Sequence, residues 1–550
     1  MKIFNSIILK LSALALTMML AFNNASAQMP TDSIIADFNE FVRLLEETHP
    51  DPYTNYGGRP FFRRAAMETR SALIQDKVTS ANELSRRINQ FIVPLHDGHT
   101  GINLSDNMSM FTKKAAPVRF QAINDAVIIE AISSNHKDLI GSRLLAIENI
   151  PVKEICEGLA LHYRAENEIG KAANICGDMG FLVDYSKVIP NMPKDSLTYQ
   201  ILTPDGERMN LTLPLVPLMQ IMNMDFTRPE HSDLFPQGFL SYSFVDEQNK
   251  TMYFSSQGMY DHDALEFMRD HKEYSQKYHL YLQKLYQLLY NKKMPADEDE
   301  ALAKIPSFSG VFEEMLQEMK KNKSQNLIID LRDNSGGFTH ITIATLYLMW
   351  GDKYLKNLSQ IEGGDAKLVS PLMLKKFDLT LDQFNAQENT NYEMGDYTFE
   401  DKSDIVENIT GKVRNKFISN CMSGIKDKLA AQKGKPVYTP ENIYVLTGPN
   451  TFSAAFHYAF FLWKMGAKVV GVTSTQAPNT YMEETPFELP RTKLKGSISN
   501  TLQLFLPVDD PRAKDFTPDL MPTYEDYKRY NFDDNTIPLY LMDYIKGQKE

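Results

Sequence analysis

Three short segments carry residue types that could act together on a carbonyl group. In Tyr444-Val445-Leu446-Thr447-Gly448-Pro449-Asn450-Thr451-Phe452-Ser453 a strand-like run passes through a Gly-Pro-Asn loop, and Ser453 stands where a helical pattern begins. A serine there suits a nucleophile, because a helix N-terminus stabilises developing negative charge. It is equally placed for an ordinary N-cap. A serine hydroxyl needs a group to take its proton, most often histidine. His96 and His99 flank a tight turn in His96-Asp97-Gly98-His99-Thr100. The third segment, Leu327-Ile328-Ile329-Asp330-Leu331-Arg332-Asp333-Asn334-Ser335-Gly336-Gly337, is an apolar strand ending in paired glycines. Glycines at a strand end let backbone N–H groups face an oxyanion, although the same pair also makes a simple turn.

The elements that must position these residues follow from periodicity. Ile34, Ile35, Phe38, Phe41, Val42, Leu44 and Leu45 recur at helical spacing, as do patterns over 61–76 and 80–92. These predict an N-terminal helical segment over 28–112. From 113 to 216 short β-rich runs dominate, with a hairpin around Thr203-Pro204-Asp205-Gly206. Their order suggests a PDZ-like unit with a helical insertion over 155–195, of the kind that binds chain ends along a sheet edge. Residues 217–535 alternate strands and helices, which predicts an α/β core. Insertions are expected over 262–306 and 360–435, and 536–550 reads as a C-terminal tail. The fold class is thus multi-domain α/β.

At 550 residues the chain exceeds what one hydrophobic core supports. Its net charge of −12, with no basic cluster, argues against nucleic acid as partner. Lys2 and Lys10, the apolar run Leu11 to Phe22 and Ala25-Ser26-Ala27 predict a signal peptide cleaved after residue 27. The apolar run is shorter than the roughly 20 residues a spanning helix needs, so no stable membrane span is expected after cleavage. The protein is therefore expected in the periplasm, the cell envelope or the medium. Cys156 and Cys176 could pair there or stay reduced, and with Cys421 they form no zinc pattern. No metal or cofactor is expected.

Together and in this order, the three segments resemble the tail-specific (C-terminal-processing) proteases, peptidase family S41. Asp330, Leu331, Arg332, Asn334, Gly336 and Gly337 match the family's Asp-Leu-Arg-x-Asn-x-Gly-Gly pattern, and Thr451, Ser453 and Ala454 its nucleophile turn. Asp97, Gly98, His99 and Thr100 match the Asp-Gly-His-Thr run of its histidine-containing branch, and His49-Pro50-Asp51-Pro52-Tyr53 an early signature of that branch. The resemblance implies a ClpP/crotonase-like core and a polypeptide substrate. It implies Ser453 as nucleophile, His99 as base, and an oxyanion hole among Gly336, Gly337 and Ala454. His96 is the alternate base, and His457 the next residue to consider. Two positions depart from the family: Ala477 stands where the Ser-Lys branch has its lysine, and Phe456 where the histidine branch has glutamate. Glu483 or Glu484 could replace that acid. An inactive fold that binds peptides or apolar ligands is the competing expectation, and an esterase using the same serine a third.

Overall fold

The computed structural model describes residues 29–102, 113–236, 238–361, 364–399 and 408–548; the expected signal peptide over 1–27 lies outside them. Helices α1 (Thr31–Thr48), α2 (Arg59–Gln75) and α3 (Ala81–Phe91) open the described chain. The α1 stripe Ile34, Phe38, Phe41 and Leu45 is buried against Phe62 and Leu73 of α2 and Leu84 and Ile88 of α3, as a helix with one apolar face must be. Beyond α3 a short turn led by Pro94 ends at His96, whose φ of 52° stops helical growth. The chain then enters a two-residue strand, β1 (Gly101–Ile102).

The next unit is an antiparallel sheet built on β2 (Val118–Ile123), β3 (Ala126–Ser133), β4 (Arg143–Ile147), β5 (Ser196–Leu202) and β6 (Arg208–Pro214). The expected hairpin pairs Ser196 with Pro214 through to Leu202 with Arg208. Its turn uses Gly206 at φ 90°, a conformation that disfavours side chains. Between β4 and β5 run α4 (Val152–Leu159) and α5 (Glu168–Ala173). Ile155 and Leu159 of α4 join Leu144, Ile147 and Leu197 in one cluster. Cys156, Cys176 and Cys421 are free thiols.

The α/β core holds β7 (Leu240–Phe244), β8 (Thr251–Ser256), β9 (Asn326–Asp330), β10 (Asn442–Thr447) and β11 (Lys468–Gly471) in that order. The β7–β8 pair is antiparallel and the rest parallel. A parallel sheet covered on both faces needs strands apolar on both sides, and alternate residues serve different clusters. Leu327, Ile329 and Val445 face one core with α8 (Phe308–Asn322), α9 (His340–Trp350) and α10 (Ala454–Lys464). Ile328, Tyr444 and Leu446 face another with α11 (Thr536–Gly547). Residues 536–547, read from sequence as a tail, are therefore a helix whose Ile537, Leu541 and Ile545 seal one face of the sheet. The 262–306 insertion is helical, with α6 (His262–Asp270) and α7 (Lys272–Tyr290), and carries its own small core around Leu265, Met268 and Leu282.

A second sheet of the core is organised on β12 (Asn479–Glu488) and β13 (Lys495–Leu504), a long antiparallel pair. β1 adds to β13 through Gly101 opposite Ser497 and Ile102 opposite Gly496. That pairing brings the loop carrying His99 from the N-terminal helices onto the core. No helix among the described residues is long and apolar enough to cross a membrane.

Candidate active site

Ser453 sits in a strained turn. Its φ of 52° and ψ of −125° belong to a region side chains avoid, and its hydroxyl makes no capping hydrogen bond. A normal N-cap has extended backbone and bonds the next turn; Ser453 does neither. Such strain persists only where surrounding contacts impose it, and it occurs at nucleophile turns between strand and helix. Here Thr451 Oγ1 donates to the carbonyl of Leu331 at 2.7 Å and accepts the N–H of Gly448 at 3.0 Å. The N–H of Phe452 donates to the carbonyl of Asn334 at 3.1 Å. The Ser453 N–H donates to Oε1 of Gln476, a fully buried side chain whose Nε2 has no partner among the described residues.

The glycine segment lies directly against this turn. Asp330 and Arg332 form an ion pair with contacts of 2.8 and 2.9 Å, and Arg332 reaches the carbonyl of Asp534 at 2.9 Å and Asn535 Oδ1 at 3.1 Å. Burial raises the Asp330 carboxyl, but the Arg332 charge and hydrogen bonds outweigh it, leaving the group below the usual range. These two motif residues thus anchor α11. Gly336 has φ 98°, and a Cβ there would lie 2.8 Å from Ser453 Cβ and 2.9 Å from Ala454 N. Its N–H, however, already donates to Asn334 Oδ1 at 2.9 Å. Of the three expected oxyanion donors, Gly336 therefore shapes the site through close approach, whereas Gly337 and Ala454 show no acceptor for their N–H groups among the described residues.

His99 is 9% exposed, and both ring nitrogens are buried without a hydrogen-bond partner among the described residues. Its ring stacks on Phe452, the residue before Ser453, at 5.1 Å between centroids. Its N–H donates to Asp97 Oδ1 at 2.8 Å and its carbonyl accepts from Ser497 Oγ at 2.9 Å. Asp97 is itself fully buried. Burial raises its carboxyl, but His49 and the nearby His99 outweigh that and hold it at about 2. His49 Nδ1 accepts the Asp51 N–H at 3.2 Å, which puts the proton of a neutral imidazole on Nε2, facing Asp97.

The other histidines stand elsewhere. His96 Nδ1 donates to the carbonyl of Ala165 at 2.9 Å, in the middle unit. His457 lies one turn into α10, with Nδ1 3.2 Å from Thr339 Oγ1. Burial and the neighbouring His99 push its imidazole down to about 4. Phe456 packs with Phe460 and Phe516, so its helix face belongs to the hydrophobic core. Glu483 pairs with Lys376 at 3.4 Å. Glu484 is exposed, and its charge is felt by Arg164 and Tyr260. No group of side chains among the described residues could hold a metal ion.

Sequence reading had no signal for Gln476, His49's role or Glu166. The Glu166 carboxyl accepts the N–H groups of Gly98 at 3.1 Å and Ala477 at 2.9 Å. Burial, with a further push from Asp97, raises it to about 8 against the pull of those N–H groups. Ala477, at the position of the absent lysine, therefore enters the site through its backbone.

Residues 300–519 match the model of peptidase family S41. No curated protein matches the chain significantly. Among solved structures, mature CPAF covers 92% of this chain and 96% of its own at 14% identity, with a TM-score of 0.53. CPAF complexed with lactacystin aligns over 92% and 97% at 15% identity and TM-score 0.51. The photosystem II D1 C-terminal processing protease aligns over 92% and 98% at 10% identity and TM-score 0.37. The two CPAF structures share the fold.

Proposed function

We propose, for a chain that belongs to peptidase family S41 through residues 300–519, an exported serine endopeptidase acting through an acyl-enzyme on Ser453. The observation that carries this reading is the Ser453 backbone at φ 52°, held at the head of α10 with a hydroxyl free of capping duty. The base in this reading is His99, whose buried ring stacks on Phe452, the residue before Ser453. It takes the Ser453 proton as Oγ attacks the peptide carbonyl, then gives it to the departing amine. Water, activated by the same imidazole, hydrolyses the ester and restores the serine. The oxyanion is held by the N–H groups of Gly337 and Ala454, which keep no other acceptor among the described residues.

Neither His99 nitrogen is hydrogen-bonded among the described residues, so substrate has to tighten the Ser453–His99 geometry, as happens in many active sites. That same observation favours the second reading, a fold that binds polypeptide without cleaving it. A fluorophosphonate probe separates the two. Labelling that disappears in Ser453→Ala supports the peptidase; a folded wild-type chain that takes no label supports the binding protein. Export is tested separately: protein from the cell envelope should begin at Gln28, and an intact Met1 in membranes would mean an anchor.

A further inference from the structure

The segment 164–167, in the insertion between α4 and α5, is wedged between the loop of His99 and the loop of Gln476. All four of its residues reach across. Arg164 Nη1 donates to the carbonyls of Thr100 and, at 3.4 Å, Asp97. The carbonyl of Ala165 accepts from His96 Nδ1. Asn167 Nδ2 donates to the carbonyl of Ser474 at 2.8 Å, while its Oδ1 caps α5 through the Gly170 N–H at 3.0 Å. Glu166 makes the central contact, with one carboxyl oxygen on the N–H before His99 and the other on the N–H after Gln476. Gln476 in turn holds the Ser453 N–H.

We propose that Glu166 is a positioning residue of the active site, whose carboxyl bridge between Gly98 and Ala477 sets the separation of His99 from Ser453. The proposal rests on Ser453 and His99 being nucleophile and base. Its physical basis is that neither ring nitrogen of His99 has a hydrogen-bond partner among the described residues, so the ring is placed by its stacking on Phe452 and by the backbone of its loop. Whatever fixes that backbone fixes the ring. The carboxyl suits the task because each oxygen keeps a lone pair for an N–H whether or not the group carries a proton. The loop packs tightly here as well: a Cβ on Gly98 would fall 2.7 Å from Glu166 Oε1 and 2.8 Å from the Phe452 ring. A side chain at Gly98 would have to displace the carboxyl or the ring.

The test uses the full mature chain and a fluorophosphonate probe, with Ser453→Ala as blank. Glu166→Gln keeps one acceptor and turns an NH2 group towards the other N–H, while Glu166→Ala removes both acceptors. A displacement of about 1 Å in a reacting group costs on the order of a hundredfold. Glu166→Ala should therefore label roughly a hundredfold more slowly and Glu166→Gln at an intermediate rate. Both should reach the wild-type labelling endpoint, with little change in thermal midpoint. A purely structural role would lower endpoint and midpoint together and leave the rate of the folded fraction unchanged. That outcome overturns the proposal, as does a Glu166→Gln variant labelling within twofold of wild type. Should Glu166→Ala fail to fold, the near-isosteric Glu166→Gln decides. A folded wild-type chain that takes no label sinks the Ser453 reading and this role with it; a labelled wild type with equally fast variants sinks this role alone.

Discussion

His49 Nε2 lies 3.3 Å from Asp97 Oδ2, and both side chains are wholly buried. The Nε2 side of His49 facing the carboxyl, together with the nearby His99, keeps Asp97 at about 2 against the effect of burial. Removing one partner of a buried pair leaves the other uncompensated and costs about 3–5 kcal/mol. His49→Ala should therefore lower stability by about 3 kcal/mol, read as a lower denaturant midpoint. The pH dependence has a definite sign. Asp97's contribution is present above its unfolded value of about 3.9 and is lost as pH falls towards 2. Acid unfolding of His49→Ala should begin at higher pH than that of wild type; coincident acid transitions would show that the pair carries no stability.

Gly336 should tolerate no side chain. A Cβ there meets Ser453 Cβ at 2.8 Å and the backbone N of Ala454 at 2.9 Å, and φ 98° disfavours it independently. Because one of the contacted atoms is an expected oxyanion donor, Gly336→Ala should slow fluorophosphonate labelling on the order of a hundredfold. Unchanged labelling would mean that the nucleophile turn can move away from the glycine without loss.

The strain at Ser453 predicts an order of stabilities among inactive variants. Glycine reaches φ 52° and ψ −125° without a Cβ clash, whereas alanine keeps the clash. Ser453→Gly should match or exceed Ser453→Ala by about 1 kcal/mol in unfolding free energy, although glycine usually loses that comparison elsewhere. A clear advantage for the alanine variant would show that the turn is not strained.

Legibility in the sequence followed the range of the interactions. The run Leu327 to Leu331 reads as a buried strand because parallel strands show both faces as apolar, and the hairpin at Gly206 because turn chemistry is local. Ser453 and the paired glycines stood out for the same reason. The sequence suggests a tail over 536–550 because the helical stripe of Ile537, Leu541 and Ile545 takes its meaning from a sheet face formed by distant strands. Glu166 was invisible: its partners lie 68 and 311 residues away, and a lone glutamate in an unmatched insertion has no pattern to read. The motif suggests an oxyanion role for Gly336 because its N–H bond to Asn334 Oδ1 depends on local geometry that the residue pattern does not show.

The choice of base is open to a paired experiment with a third arm. His99 is buried against Phe452, and neither ring nitrogen is engaged among the described residues, which suits it to take a proton. His96 commits Nδ1 to the carbonyl of Ala165 and serves the contact with the middle unit. His457 is held at about 4 by burial and by His99, so above pH 5 it stays neutral and cannot produce an acid limb. Activity of a neutral imidazole base rises as that imidazole loses its proton. His99→Ala should remove labelling and peptide hydrolysis altogether. His96→Ala should keep the pH profile of wild type, with a rate loss no larger than that caused by loosening the Ala165 contact. His457→Asn should leave the acid limb where it was. A profile that instead disappears in His96→Ala transfers the role to His96; an acid limb that moves only in His457→Asn transfers it to the histidine one turn beyond the serine.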